Sequence, residues 1–304
     1  MIADYTIIIT TYNRVKELKV TLAYFRESYP EATIIVSDDA SSDDTVTMIS
    51  NQFPDIRLIA NKTNMGLIHN RNLMLQEVKT PYVISIDDDA HFLTTDNFEK
   101  IKTYFLDHKK CAVVSFRIFW GLNEPTTILS NQTAHPVRDF AGGAHAMRLT
   151  AWNEIPEYPA WYRFYGEEQF ASLQFFKKGW QVHYLPSILV HHRVEVKKRK
   201  KDQDYVTRTS RSLHAAWSNY LIFLPLKQLP KKIAYSIYQQ LRLKVLKGDF
   251  KAARGLLIAI FKTIVNLPLW WKKRNPLSDK QYDSYLKTPA LNLYWDPNKE
   301  NRHQ

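Results

Sequence analysis

The chain has 304 residues, 45% of them hydrophobic, a single cysteine and a net charge of +12. That length suits one large globular domain or two, and a lone thiol, Cys111, excludes an internal disulfide framework and fits a reducing compartment. The charge is uneven, with 18 Lys and Arg against 22 Asp and Glu in residues 1–190 but 24 against 8 in 191–304, so the last third is expected to face something anionic.

From the N-terminus, YTIIITTYN reads as a β-rich strand rather than a signal peptide, because no basic segment precedes its short apolar run. RVKELKVTLAYFRES follows with Val15, Leu18, Leu22 and Phe25 at helical spacing, stopped by Pro30. ATIIVSDDAS is a second strand, DDTVTMISNQF a helix, IRLIANK a third strand, GLIHNRNLMLQEV a helix and YVISIDDD a fourth strand. Strict alternation of strand and helix predicts βαβ units and a mainly parallel sheet. Ligands of such sheets lie beyond the carboxyl ends of the strands. Three strands end there in polar or acidic groups: Thr10, Thr11 and Asn13; Asp38 and Asp39; Asp87, Asp88 and Asp89. The chain has neither a GxxxxGK[ST] loop nor a GxGxxG after its first strand, so a phosphate-bearing ligand would need a metal rather than a glycine nest.

Beyond Cys111 the pattern becomes mixed. CAVVSFRIFW reads as a strand. DFAGGAHAMRLTAW brings Gly142 and Gly143, which permit close backbone approach. WYRFYGEEQFASLQFFKKGW turns at Gly166 and becomes a helix over 167–178, ended by Gly179. QVHYLPSILVHHRV is strand-like and delivers His191 and His192, and after KKRKK at 197–201 the chain turns basic, apolar and helical.

The stretches IIITTYNR, IIVSDDASSDDT, NMGLIHNRNLML, VISIDDDA, AGGAHAMRL and GEEQFASLQFFKKGW, in this order over residues 5–193, resemble the GT-A-fold glycosyltransferases of family 2. The resemblance implies an α/β GT-A domain over 1–200, a Rossmann-like, mainly parallel sheet with helices on both faces. A smaller basic helical region would follow over 201–304, for membrane association or oligomerisation.

It also implies roles. Asp87 and Asp89 match a D-x-D motif, and spacing of two puts them on one side of an extended segment. They would hold a divalent cation, Mn²⁺ or Mg²⁺, with Asp89 the first choice, Asp87 second and His192 completing the set; neutral imidazole favours Mn²⁺. His191 is the alternative to His192. Asp88 would face the donor sugar or the backbone. Asp39 would accept from the imide N–H of uracil or thymine, implying a UDP- or dTDP-sugar donor. Thr10, Thr11, Asn13 and Asn64 are expected near the nucleotide, and Arg71 either on phosphate or bracing the acids. Glu168 is the expected catalytic base, with Glu167 the alternative, as a base or as a helix N-terminal carboxylate. Gly143, Trp161 and Tyr165 are expected on the acceptor side, where aromatics stack on sugars.

In the last third, 210–275 interleave apolar and basic residues without reaching the roughly 20 uninterrupted apolar residues of a membrane span. Leu256, Leu257, Ile260, Phe261 and Ile264 form a helical stripe, and Trp270 and Trp271 before Lys272, Lys273 and Arg274 resemble an interfacial anchor. The expectation is a peripheral protein on an anionic, cytoplasmic membrane face; a helical subdomain or homo-oligomer is the alternative. Nucleic acid is not expected, since no recognised module accompanies the charge. A processive synthase would carry Q-x-x-R-W, but Leu243 follows Gln239 and Arg242. A nucleotidylyltransferase on a similar fold would carry a Gly-rich basic loop that TTYNRVKE lacks, and a non-catalytic sugar-nucleotide-binding protein is the remaining class. The expected reaction is inverting transfer of one sugar to a hydroxyl of a glycan or lipid-linked acceptor, in the making of cell-surface polysaccharide or glycoconjugate.

Overall fold

The computed structural model describes residues 2–194 and 204–300, so the KKRKK run at 197–201 lies outside the described residues. The first half runs Tyr5–Thr11 (β1), Val15–Ser28 (α1), Thr33–Asp38 (β2), Thr45–Gln52 (α2), Arg57–Ala60 (β3), Leu67–Glu77 (α3), Tyr82–Ile86 (β4), Ala90–Phe92 (β5) and Asn97–Asp107 (α4). Then come Cys111–Trp120 (β6), His135–Val137 (β7), Ala144–Arg148 (β8), the short Leu149–Trp152 (α5), Glu167–Lys177 (α6) and Gln181–His192 (β9). The helical third holds Tyr205–Phe223 (α7), Leu229–Leu243 (α8), Phe250–Val265 (α9), Leu267–Lys272 (α10) and Asp279–Lys287 (α11).

These strands form one mixed sheet in the order β3-β2-β1-β4-β8-β6-β9-β5, with β7 also on β9. β3, β2, β1 and β4 are mutually parallel, β8 is antiparallel to its neighbours, and β6 and β9 are parallel. The β-branched run of β1 is buried on both faces, as a central parallel strand requires. Ile7 and Ile9 pack with Leu18, Met48 and Phe98 on one face, while Ile8 packs with Ile68, Met74 and Phe170 on the other. Alternation along the strand thus feeds two helical layers.

The helical third continues the second layer, for Ala215, Ile222, Phe223 and Trp270 share a core with Tyr162 and Phe170. A smaller cluster of Leu213, Trp217, Leu256 and Ala259 joins α7 to α9. This packing splits the stripe expected on α9. Leu256 faces α7, whereas Leu257, Phe261 and Ile264 are exposed. The tryptophan pair divides likewise: Trp270 is 2% exposed and Trp271 63%. A helical repeat identifies a face but not which face has a partner.

Candidate active site

Because β1, β2 and β4 run parallel side by side, their carboxyl ends deliver Thr11, Asp38–Asp39 and Asp87–Asp89 to one edge. The loops are tied together there. Thr11 Oγ1 donates to Asp88 Oδ2 at 2.8 Å, and the Asp39 amide to the Thr11 carbonyl at 2.9 Å. Asn13, with a positive φ of 53°, links the two loops: its amide donates to Ser41 Oγ and its Oδ1 accepts from the Ser42 amide. Asp39 accepts from the Met65 and Gly66 amides at 2.7 and 2.9 Å, and Asn64 Nδ2 reaches the Asp39 carbonyl at 3.4 Å. Asn61 Nδ2 adds a third, longer bond to Asp39 Oδ1 at 3.4 Å, so of the roughly four lone-pair sites of a carboxylate about one remains for a further donor. Thr10 is half-buried beside Ser37 of β2.

The three aspartates are not extended, as their spacing suggested. Ala90 N donates to Asp87 O at 3.1 Å, closing a tight turn that carries Asp87 and Asp89 to the same histidine. His192 Nε2 lies 2.8 Å from Asp89 Oδ1 and 3.7 Å from Asp87 Oδ2. The ligand-capable atoms of these three residues all lie within 4.8 Å of one another, close enough to share one ion. His191 points to a different neighbourhood, its Nε2 2.8 Å from the Gly121 carbonyl. Asp88 turns to Thr11 and to Arg14, whose Nε is 2.9 Å from Asp88 Oδ1 and whose Nη2 bonds Asp89 Oδ2. Burial pushes Asp88 up to about 7 against the pull of Arg14. Burial would raise Asp89 too, but the hydrogen bond and charge of His192, with Arg14, hold it below the usual carboxylate range.

Arg71 connects this turn to the start of α6. It is buried, donating from Nη1 to Glu167 Oε1 at 2.9 Å and from Nη2 to the Gly142 carbonyl at 2.7 Å, with Asp87 at 3.4 Å and Glu168 at 3.6 Å. These contacts are those of a brace, one of the two roles the sequence left open for Arg71. The same contacts separate the two glutamates. The side chain of Glu167 is 1% exposed and clamped by Arg71, whereas Glu168 keeps 23% open. Burial and the adjacent Glu167 raise Glu168 to about 8, against the attraction of Arg71. The glycine pair makes room for this arrangement. A Cβ on Gly142 would lie 1.8 Å from Glu168 Oε1. One on Gly143 would lie 3.2 Å from Asp87 Oδ2 and 3.3 Å from His192 Nδ1, so Gly143 lines the Asp87–His192 cluster.

Trp161 and Tyr165 occupy the loop before α6. Arg163 and Tyr165 both have positive φ, and Arg163 Nη2 donates to Asn64, tying this loop to the one around Asp39. Trp161 carries Lys273 Nζ 4.1 Å from its ring centroid. Two residues of the site escaped the sequence reading. Arg14 was visible only as the last residue of TTYNR. Trp120 ends β6 and packs on His192 with ring centroids 4.2 Å apart and the planes tilted by 38°; its place opposite His192 follows from the parallel register of β6 and β9.

A mainly parallel sheet whose carboxyl edge gathers these acids is the GT-A architecture, and solved glycosyltransferases share it. GalNAc-T7 with UDP, GalNAc and Mn²⁺ superposes with a TM-score of 0.60 at 15% identity, covering 78% of this chain and 50% of that one. The mannosyltransferase PcManGT from Pyrobaculum calidifontis, with GDP-Man and Mn²⁺, gives 0.55 at 16% identity over 93% of this chain and 83% of its own. The glycosyl transferase family 2 model matches residues 6–169, more than half of the chain, and the chain belongs to that family. Among curated relatives, the Escherichia coli UDP-Glc:alpha-D-GlcNAc-diphosphoundecaprenol beta-1,3-glucosyltransferase WfaP is 32% identical over 34% of this chain and 42% of its own length. Mouse beta-1,4 N-acetylgalactosaminyltransferase 1 is 29% identical over 32% of this chain and 17% of its own. The matched segment thus spans less than half of either relative.

Proposed function

We propose that the protein is a cation-dependent, inverting glycosyltransferase that moves one sugar from a UDP- or dTDP-sugar to a hydroxyl of a glycan or lipid-linked acceptor. The observation that carries this is the meeting, on one sheet edge, of the Asp87–Asp89–His192 cluster with a protonatable Glu168, joined through Arg71. Two carboxylates and an imidazole fit a divalent cation, Mn²⁺ better than Mg²⁺. Such an ion, when bound, supplies charge neutralisation of the diphosphate leaving group. In this reading Asp39 accepts from a pyrimidine imide, and Glu168 takes the proton of the acceptor hydroxyl. The acceptor oxygen then bonds to the anomeric carbon as the bond to the diphosphate breaks on the opposite side, which inverts that centre. UDP and UDP-sugars, with Mn²⁺ present, should raise the melting temperature, and slow hydrolysis of the preferred UDP- or dTDP-sugar should accompany it. A chain that none of these nucleotides stabilises, with or without Mn²⁺, is not a transferase of this kind.

The same reading extends to the cytoplasmic membrane face, where a lipid-linked acceptor would lie. Among the described residues no helix is long and apolar enough to cross a bilayer. Yet Leu246, Phe250, Leu257, Phe261, Ile264 and Trp271 are all exposed. Residues 229–274 carry 11 Lys and Arg against one Asp. So strong a like charge opposes pairing with a second copy and suits an anionic lipid surface, where each basic residue contributes about 1 kcal/mol. We expect co-sedimentation with anionic but not neutral liposomes, weakened by salt, and lost in Leu257→Ser/Phe261→Ser, which leaves the core intact because those side chains are 66% and 69% exposed. Full-length protein that stays in the supernatant at low salt would leave these helices a role in joining copies instead.

A further inference from the structure

Among the described residues the side chains of two arginines pair with carboxylates of the acidic turn, and they are built differently. Arg71 is buried and fixed by Glu167, the Gly142 carbonyl and Asp87. Arg14 stands at the start of α1 with 41% of its side chain exposed, closing over Asp88 and Asp89, whose side chains are only 9% and 5% exposed. Asp89 divides its oxygens, Oδ1 to His192 and Oδ2 to Arg14. Any cation that takes Asp89 therefore meets a guanidinium already on that carboxylate. Arg14 can give way without leaving the site, because its Nε holds Asp88 independently of the Nη2 bond to Asp89. A guanidinium carries five donors in a rigid fork suited to phosphate oxygens. Its half-open position leaves that fork able to turn, which Arg71 is not.

Resting on the donor-site reading above, we propose that Arg14 is a displaceable counter-ion: it neutralises Asp89 before the donor binds and transfers its Nη groups to the donor diphosphate when a divalent cation takes Asp89. Arg14 would then oppose cation binding alone and favour binding of cation and nucleotide together. That makes the site take up the pair rather than the bare metal.

The opposed signs are the test. With full-length protein, Mn²⁺ binding in the absence of nucleotide and UDP binding at saturating Mn²⁺ are measured by calorimetry for wild type, Arg14→Gln and Arg14→Lys. Arg14→Gln should bind Mn²⁺ alone roughly two- to five-fold more tightly, the range of a half-exposed charge pair. It should bind UDP about tenfold or more weakly, the worth of a charge-assisted hydrogen bond. Arg14→Lys should restore the wild-type Mn²⁺ affinity but only part of the UDP affinity, because a point charge lacks the fork. If both affinities fall together in Arg14→Gln, or UDP affinity is unchanged, Arg14 is a structural clamp on the turn and the inference is wrong. Wild-type protein that binds neither Mn²⁺ nor UDP would instead overturn the donor-site reading itself.

Discussion

Glu168→Gln should lower turnover about a hundredfold or more while leaving UDP affinity nearly unchanged, as expected when a general base is lost but the donor site is not. The argument rests on the contrast with its neighbour. Both glutamates open α6 and both meet Arg71, but Glu167 is sealed against it whereas Glu168 keeps an open side. Burial, then the charge of Glu167, raises Glu168 to about 8. A base works only when ionised, so below that value most of the protein carries the inactive, protonated form. Activity measured as kcat/KM should therefore climb with pH and level off above about 8. Glu167→Gln should behave differently. It strips a buried guanidinium of its closest carboxylate, and breaking a buried pair costs about 3–5 kcal/mol. The expected result is a lowered melting temperature with losses in binding and turnover alike. Selective loss of turnover in Glu167→Gln, with stability intact, would move the base by one residue.

How much of this was legible in the sequence depends on which interaction decides each feature. The first four strands and the helices between them were readable because β-branched runs and helical spacing are local signals. The convergence of Thr11, Asp39 and Asp87–Asp89 followed from parallel topology, not from any one motif. Three features depended on contacts that periodicity does not carry. Asp87–Asp89 reads as extended by spacing, yet the Ala90-to-Asp87 hydrogen bond makes it a turn. Arg71 on its helix is compatible with phosphate contact or with bracing; its pairing with the buried Glu167 comes from a partner 96 residues along the chain, which helical spacing does not carry. The stripe on α9 was visible, but Leu256 and Leu257 are adjacent in sequence and opposite in fate, because α7 covers one side alone. Asn97–Asp107 drew no attention in the sequence although Phe98, Ile101 and Phe105 are buried at helical spacing and Asp96, with Glu99 three residues on, is a helix-start pattern. Trp120 belongs to the site only because a parallel register places it beside His192, some 70 residues along the chain.

Asp89→Ala should abolish Mn²⁺-dependent UDP binding and turnover with the fold retained. Asp89 is the one carboxylate of the turn within hydrogen-bond distance of His192, and the attraction of His192 and Arg14 keeps it ionised where burial alone would protonate it. A ligand must be ionised to bind a cation, which separates Asp89 from Asp88, raised to about 7 and spent on Thr11 and Arg14. Loss of residues that merely orient metal ligands costs about 10–100-fold in affinity, so removal of a ligand should cost at least the upper figure. The fold should survive because each partner keeps a second contact: Arg14 holds Asp88 at 2.9 Å, and His192 remains packed against Trp120 and 3.7 Å from Asp87. Asp88→Asn is the informative companion. It keeps the side-chain volume and a hydrogen-bonding oxygen for Thr11, so Mn²⁺ affinity should change much less than in Asp89→Ala. Mn²⁺ titration followed by electron paramagnetic resonance reads both variants without any need for turnover, and circular dichroism checks the fold. Full activity of the wild type in EDTA, or Mn²⁺ bound as tightly by Asp89→Ala as by wild type, would remove the cation from this edge of the sheet and leave Asp89 as no more than the anchor of His192 and Arg14.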